Sequence, residues 1–152
     1  MEVKLISWTN EPIKTAAQAC AICYDSEPSP RLVKQCIASG HLSTIEHINF
    51  TFEASGVSRA LTHQLVRHRI ASYSQQSQRY VSMEDVDFIY PYSMKGIERK
   101  IYEEAFQKSI ESYKTLQEIG VKNEDARAVL PNACKKKIIF TMNLRSLGHF
   151  MN

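Results

Sequence analysis

Alternation of polar and apolar residues predicts three strands along the chain. Residues Glu2–Trp8 alternate at their start and predict a short strand. The alternation is clearest over Ile48–Ala54, where each apolar residue is followed by a polar one, and we expect this strand to end at Ser55-Gly56. A third short strand is predicted over Val86–Tyr90, where Pro91 stops it.

Helical spacing of apolar residues predicts the remaining elements. Helix starts are indicated at Pro12, at Ser29-Pro30 and at Ser58, because proline and serine favour the first positions of helices. The predicted helices occupy residues 13–24, 30–40, 59–70, 96–119 and 123–130, the last with Asn123 as its cap. The fourth is long and amphipathic, with Ile97 and Ile101 on its apolar side. Residues 72–78 are polar and predict a loop.

These elements predict one mixed α/β (α+β) domain over residues 1–152, with a central, mostly antiparallel sheet flanked by helices. The chain has 152 residues, of which 43% are hydrophobic and 23% charged, as in ordinary globular domains. No run of 18 apolar residues and no secretory signal is visible, so we expect no membrane association. Four cysteines are too few for a disulfide scaffold, which favours a cytoplasmic location.

The positive charge of the chain is concentrated in one segment. From Ala54 to Met83 there are four arginines and no acidic residue, whereas the whole chain carries a formal charge of only +3. That segment therefore carries +4 and the remainder −1, with histidines neutral. A local excess of this kind indicates an anion site rather than a general affinity for polyanions.

The types of side chain in this segment suggest that it binds a nucleotide. Neighbouring residues on a helix point about 100° apart, so at least one of the three residues Arg67-His68-Arg69 must face the protein. No acid nearby balances the charge, and phosphate suits the planar fork of arginine. The amides and hydroxyls of residues 72–78 can read a base, with Tyr73 and Tyr80 beside them. The alternative is a surface-exposed basic helix end.

Three other groups of residues favour structural explanations. Cys20-Ala21-Ile22-Cys23 is a single C-x-x-C inside an alanine-rich helix and predicts core packing. His41, Glu46 and His47 lie around a turn, and Ser43–Glu46 fits a capping box, so we predict no metal site. The lysine triplet 135–137 predicts a solvated face.

Arg67-His68-Arg69, followed by seven residues and then Ser77, resembles the signature of the flavin-dependent thymidylate synthases. The pattern of that family is Arg-His-Arg, a spacer of seven or eight residues, and Ser. Three further segments resemble the family's His…Glu-His turn and strand, its Arg-x-x-Leu-Pro element and its Asn-x-Arg segment, namely His41–Phe52, Arg127–Pro131 and Asn143–Leu147. The order and approximate spacing hold across nearly the whole chain.

The resemblance implies a reaction and an assembly. Members of the family make dTMP from dUMP, with methylenetetrahydrofolate as the carbon donor and NADPH-reduced FAD as the hydride donor. They are homotetrameric methyltransferases with sites shared between subunits, and no nucleic-acid partner is implied. In the family, the segment after Asn-x-Arg continues with an arginine thought to activate the uracil. The chain stops at Asn152, just before that position, so we expect it to be truncated relative to the family domain.

The resemblance also implies roles for individual residues. Those expected to contact FAD are Ser43, Glu46, Arg67, His68, Arg69, Ile70, Asn143, Arg145 and His149. Those expected to bind dUMP are Gln64, Gln75, Gln76, Ser77, Gln78, Arg79 and Arg127. Ser77, Arg79 and Arg127 are the candidates closest to the chemistry.

Ser77 is expected to position the substrate rather than attack it. A serine nucleophile needs an adjacent base, and its neighbours Gln76 and Gln78 are not bases. Two alternatives to the active enzyme remain at this stage. One is a truncated, non-catalytic subunit, and the other is a single-strand nucleic-acid binding module that uses the arginines with Tyr73 and Tyr80.

Overall fold

The computed structural model describes residues 1–152 and contains one four-stranded sheet. The strands are β1 (Glu2–Trp8), β2 (Asn49–Ser58), β3 (Ser72–Gln75) and β4 (Lys135–Asn143), in the spatial order β1-β2-β4-β3. The helices are α1 (Pro12–Tyr24), α2 (Pro30–Ala38), α3 (Arg59–Leu65), α4 (Ile97–Glu118), α5 (Asn123–Ala126) and α6 (Leu144–Met151). Short 3₁₀ segments span Leu42–His47 and Arg127–Val129.

The sheet is antiparallel, as predicted. The Thr51 and Thr141 hydroxyls of β2 and β4 meet at 2.9 Å, and just beyond these strands Arg59 N donates to Cys134 O at 2.9 Å. Residue numbers that rise on one strand therefore fall on its neighbour, which defines an antiparallel pair. No helix is both long enough and apolar enough to span a lipid bilayer.

Two compact units make up the chain, and each has its own core. We call residues 3–53, 68–73 and 139–152 the α1 unit, and residues 1–2, 54–67 and 74–138 the α4 unit. In the α1 unit, helices α1 and α2 contribute small buried side chains, namely Ala16, Ala17, Cys20, Val33 and Cys36. The Ser29 hydroxyl caps α2 by accepting a hydrogen bond from Leu32 N at 3.2 Å. Core packing is confirmed for Cys20, whereas Cys23 is exposed.

The core of the α4 unit forms along one side of α4. Phe106, Ile110 and Tyr113 are buried there, and the Tyr113 hydroxyl accepts a hydrogen bond from Met83 N. The helix begins where it was predicted, but Ile97 and Ile101 of its predicted apolar side are 68% and 62% exposed. The apolar cluster along α4 includes Tyr102 and Phe106 but neither isoleucine, so the apolar stripe extends beyond the cluster.

Strand β2 is longer than predicted. Gly56 adopts a φ of +65°, which glycine tolerates, so the strand continues through the expected break as far as Ser58. Ser58 then caps α3, as predicted, by accepting a hydrogen bond from Leu61 N at 3.1 Å. Helix α3 ends at Leu65 rather than Ile70, and Arg67 N bonds to Gln64 O in a tightened last turn.

Three further predictions of local structure are wrong. Residues Ser72–Gln75 form strand β3 instead of a loop, because pairing at the edge of the sheet outweighs their weak local preference. The segment 86–90 makes only an isolated bridge between Phe88 and Cys134, and the Phe88 ring packs on Phe106 with centroids 4.4 Å apart. Asn123 is the first residue of α5 and does not cap it, because its side chain accepts a hydrogen bond from Gln117.

Candidate functional site

A cavity of about 720 Å³ lies in the α1 unit. Its walls come from the 3₁₀ segment Leu42–His47, from α6 and from Ile70. Four of the residues predicted to contact a flavin line it, namely Glu46, Ile70, Arg145 and His149. The sequence did not indicate the other lining residues, which are Leu42, Ile45, Leu144, Ser146, Gly148 and Asn152.

Polar contacts fix the geometry of the cavity wall. Arg145 Nη1 lies 2.6 Å from Glu46 Oε1, and both side chains are about half exposed. Asn143 caps α6, because its Oδ1 accepts a hydrogen bond from Ser146 N at 2.8 Å. The predicted capping box is wrong: Ser43 lies inside the 3₁₀ segment, where it is exposed, and the Glu46 carboxylate bonds to Arg145 instead.

His68 is the member of the Arg67-His68-Arg69 triplet that turns toward the protein. Its ring lies 5.9 Å from that of His149 and 5.4 Å from that of Phe150, measured between centroids. Its Nε2 is buried and has no hydrogen-bond partner. Arg67 and Arg69 are both exposed. Two residues predicted to contact the flavin, His68 and His149, are therefore in contact with each other.

The residues predicted to bind dUMP lie in the α4 unit. Three of them, Ser77, Arg79 and Arg127, are connected by hydrogen bonds around Glu124. Arg79 Nη2 is 3.0 Å from Glu124 Oε2, and Arg127 Nε donates to Glu124 O at 3.0 Å. Ser77 Oγ accepts a hydrogen bond from Arg79 N at 3.1 Å. The hydrogen bond to Glu124 and the negative charges nearby raise the pKa of Arg79. Sequence analysis missed Glu124, which contacts both predicted arginines.

The glutamines of the set are more dispersed. Gln75 Oε1 is buried without a hydrogen-bond partner, and Gln76 N donates to Lys137 O at 3.3 Å. Gln64 is exposed at the end of α3, and Gln78 is half-buried. Neither of these two side chains makes a hydrogen bond to the Arg79–Glu124 pair.

The lysine triplet 135–137 was predicted to face solvent, and this prediction is wrong for its middle residue, Lys136. Lys136 points to the buried side of β4 and is only 2% exposed, because alternate residues of a strand face opposite sides. Its Nζ lies 3.1 Å from Met83 Sδ. Burial lowers the pKa of Lys136, and the positive charge of Arg59 lowers it further. Lys135 is exposed and pairs with Asp87 at 3.0 Å.

The α1-unit cavity has both apolar and cationic walls. It combines the apolar side chains of Ile45, Ile70 and Leu144 with the cation of Arg145. Nearby, the unpartnered Nε2 of His68 provides a polar atom that a ligand can satisfy. No three His, Cys, Asp or Glu side chains are grouped so that they could hold a metal ion.

Comparison with known proteins identifies the family. The family model described as thymidylate synthase complementing protein matches residues 4–152. The chain belongs to this family. A flavin-dependent thymidylate synthase from Geobacter sulfurreducens is 45% identical, over 99% of this chain and 72% of the relative. One from Clostridium tetani is 43% identical, again over 99% of this chain and 72% of the relative.

A solved structure of a family member supports the same assignment. The flavin-dependent thymidylate synthase ThyX from Helicobacter pylori, complexed with FAD and dUMP, superposes with a TM-score of 0.75 at 28% identity. The match covers 99% of this chain and 83% of that chain. The predicted mixed α/β fold and the predicted family are therefore confirmed.

Proposed function

We propose that this chain acts as a flavin-dependent thymidylate synthase that converts dUMP to dTMP. The family match over residues 4–152 carries this proposal. The placement of Glu46, Arg145 and His149 around one cavity, with His68 against His149, supports it. The carbon donor in the proposed reaction is methylenetetrahydrofolate, and NADPH is the source of reducing equivalents.

FAD is the cofactor that the α1-unit cavity would hold. Arg145 would face the negative charge of the cofactor, and His68 would donate or accept a hydrogen bond through its unpartnered Nε2. The remaining contacts are proposed for Ser43, Arg69, Ile70 and Asn143. For Arg67, which belongs to the α4 unit, contact with FAD stays a prediction from the resemblance. When bound and reduced, the flavin supplies the hydride of the reaction.

The proposed role of Arg79 and Arg127 is to bind the anionic substrate. Both are held by Glu124, which orients their guanidinium groups before a ligand arrives. Cationic donors that face the carbonyls of a pyrimidine stabilise negative charge developing on the ring, which makes C5 a better nucleophile. We include Gln64, Gln75, Gln76 and Gln78 in this proposed site.

Ser77 is proposed to position the substrate. Its hydroxyl accepts a hydrogen bond from Arg79 N, and no base is adjacent in the chain. This hydrogen bond stabilises the turn that carries Arg79. A nucleophilic serine would instead need a base that accepts the proton of its hydroxyl. We therefore assign no covalent step to Ser77.

Assembly and location are further parts of the proposal. We propose one catalytic domain over residues 1–152, a homotetramer and a cytoplasmic location. Exposed apolar side chains on β1, such as Val3 and Trp8 at 54% and 60%, support contacts between subunits. Four free thiols are consistent with a reducing compartment.

Flavin retention is the decisive measurement. We would add FAD to the purified protein, remove the excess and record the flavin absorption band, before and after adding dUMP. A retained band that shifts with dUMP is expected, followed by dTMP formation in the presence of methylenetetrahydrofolate and NADPH. Retained ligands without dTMP would indicate a non-catalytic subunit. Absence of flavin together with salt-sensitive binding of single-stranded DNA would contradict the proposal.

A further inference from the structure

Outside the cavity, a tyrosine and a histidine are stacked beside the segment that forms its wall. Tyr24 at the end of α1 and His41 have ring centroids 6.0 Å apart and an interplanar angle of 14°. The Tyr24 hydroxyl is hydrogen-bonded to His41 Nδ1. The next residue, Leu42, lines the cavity. The proposed mechanism uses neither aromatic side chain.

Two buried thiols extend this contact into the core of the α1 unit. The Cys36 thiol influences the titration of the Tyr24 hydroxyl, and the Cys20 thiol influences that of Cys36, so the three groups are neighbours. Cys20 and Cys36 are 0% and 1% exposed, so water does not compete for these contacts. The four side chains Cys20, Cys36, Tyr24 and His41 thus form a chain that runs from the core to the surface.

Backbone contacts hold the outer end of this chain in place. His41 N donates to Cys36 O at 2.9 Å, and Thr44 Oγ1 donates to His41 O at 3.0 Å. The His41 ring is therefore tied at its backbone on both sides and at its ring by Tyr24. The imidazole has little freedom to rotate.

The direction of the hydrogen bonds follows from the acceptor strengths. Loss of hydration and the nearby thiols raise the pKa of Tyr24, and burial raises the pKa of Cys36, so both stay protonated at neutral pH. A phenol has one proton to donate, and the nitrogen of a neutral imidazole accepts it far better than sulfur does. The Tyr24 proton therefore goes to His41 Nδ1.

We propose that Tyr24 is a positioning residue that holds His41 as the Nε2–H tautomer. With Nδ1 occupied as an acceptor, Nε2–H is the only donor left on the ring. His41 is exposed, so this donor is available to a carbonyl or phosphate oxygen of a ligand in the adjacent cavity. The role of His41 as a donor to a ligand rests on the proposed function, whereas the assignment of its tautomer does not.

The tautomer is tested directly by long-range ¹H–¹⁵N correlation NMR of the full chain at alkaline pH, where an ordinary imidazole is neutral. His41→Gln assigns the signal. We expect a single Nε2–H pattern in the unmodified protein and a mixture of tautomers in Tyr24→Phe, which keeps the ring but lacks the hydroxyl. Tyr92→Phe, at a fully exposed tyrosine, is the control and should leave the signal unchanged. An Nδ1–H pattern, or no change in Tyr24→Phe, would overturn the inference.

A second readout separates positioning from a purely structural role. Tyr24→Phe should weaken FAD binding about 3–10-fold, the effect of one misdirected hydrogen bond, without changing the melting temperature. A tautomer change with unaltered FAD affinity would overturn the role toward the ligand. If the unmodified protein retains no FAD, the proposed function fails, and the NMR result alone decides the tautomer.

Discussion

The guanidinium of Arg79 forms an ion pair with the Glu124 carboxylate at 3.0 Å, although the two residues are 45 positions apart. Glu124 also accepts a hydrogen bond from Arg127 through its backbone. One acidic residue therefore orients both arginines that we propose for substrate binding. An incoming phosphate must share Arg79 with this carboxylate or displace it.

Arg79→Ala should weaken dUMP binding by about 1.5–3 kcal/mol, the value of a hydrogen bond to a charged group. The fold should lose no more than about 1 kcal/mol, because the pair with Glu124 is about half exposed and such pairs contribute little. Titration with dUMP, followed by calorimetry, measures the first effect. Lys108→Ala, at an exposed position of α4, is the matched control. An unchanged dissociation constant would remove Arg79 from the site.

Asn143 should affect stability and flavin retention separately. Asn143→Ala removes the cap of α6 and should lower the free energy of unfolding by about 0.5–2 kcal/mol. Asn143→Asp keeps a good cap, so stability should stay near that of the unmodified protein, but its negative charge should repel the anionic cofactor. Urea denaturation and the retained flavin band measure the two effects. Equal stability of the Ala variant and the unmodified protein would contradict the capping role.

Local signals explain the elements that the sequence predicted correctly. The helix starts at Ser29 and Ser58 depend on side-chain caps within three residues, and the length of α4 follows from its apolar periodicity. Strand β3 depends on pairing with β4, which lies some 60 residues further along the chain. Periodicity within a short window contains no information about that partner.

In the candidate site, too, local motifs were predicted correctly and residues that depend on distant contacts were missed. The motif resemblance placed Glu46, Arg145 and His149 in one ligand set, and the structure brings them to one cavity. Glu124 and Lys136 were missed, because an exposed acid and a lysine triplet look like solvated residues in sequence. Glu124 matters because it forms an ion pair with the distant Arg79, and Lys136 matters because it lies on the buried face of β4.

Lys136→Met should stabilise the protein by about 1–2 kcal/mol near neutral pH, because it replaces a buried amine by an apolar chain of similar size. The gain should depend on pH. Folding lowers the pKa of Lys136 below its ordinary value of 10.5, so the unfolded state binds the proton more tightly and the native state gains stability as pH rises through that window. The advantage of the variant should therefore shrink toward pH 10.5. Urea denaturation at two pH values measures it, and a constant difference would contradict the burial of a titrating amine.

Gly56→Ala should destabilise the protein by about 1–2 kcal/mol, since its φ of +65° is strained for a residue with a Cβ atom. That Cβ would also lie 3.4 Å from Met1 N. Gly148→Ala is a control of opposite sign, because this glycine lies within α6 with open space around it, and alanine favours helices. Thermal or urea unfolding of both variants measures the contrast. A stabilised Gly56→Ala protein would show that the strand relaxes to a negative φ.

Strand β4 ends at Asn143 and helix α6 begins at the next residue, Leu144, whose N–H donates to Ile48 O at 2.8 Å. No loop separates the sheet from the helix that forms the cavity wall, so the first turn of α6 has no hinge of its own. Its amide protons should exchange with solvent at rates close to those of the central strand, because opening the wall requires local unfolding of the sheet. Ligand entry would then depend on motion elsewhere, at the 3₁₀ segment Leu42–His47 or at the C-terminal turn of α6.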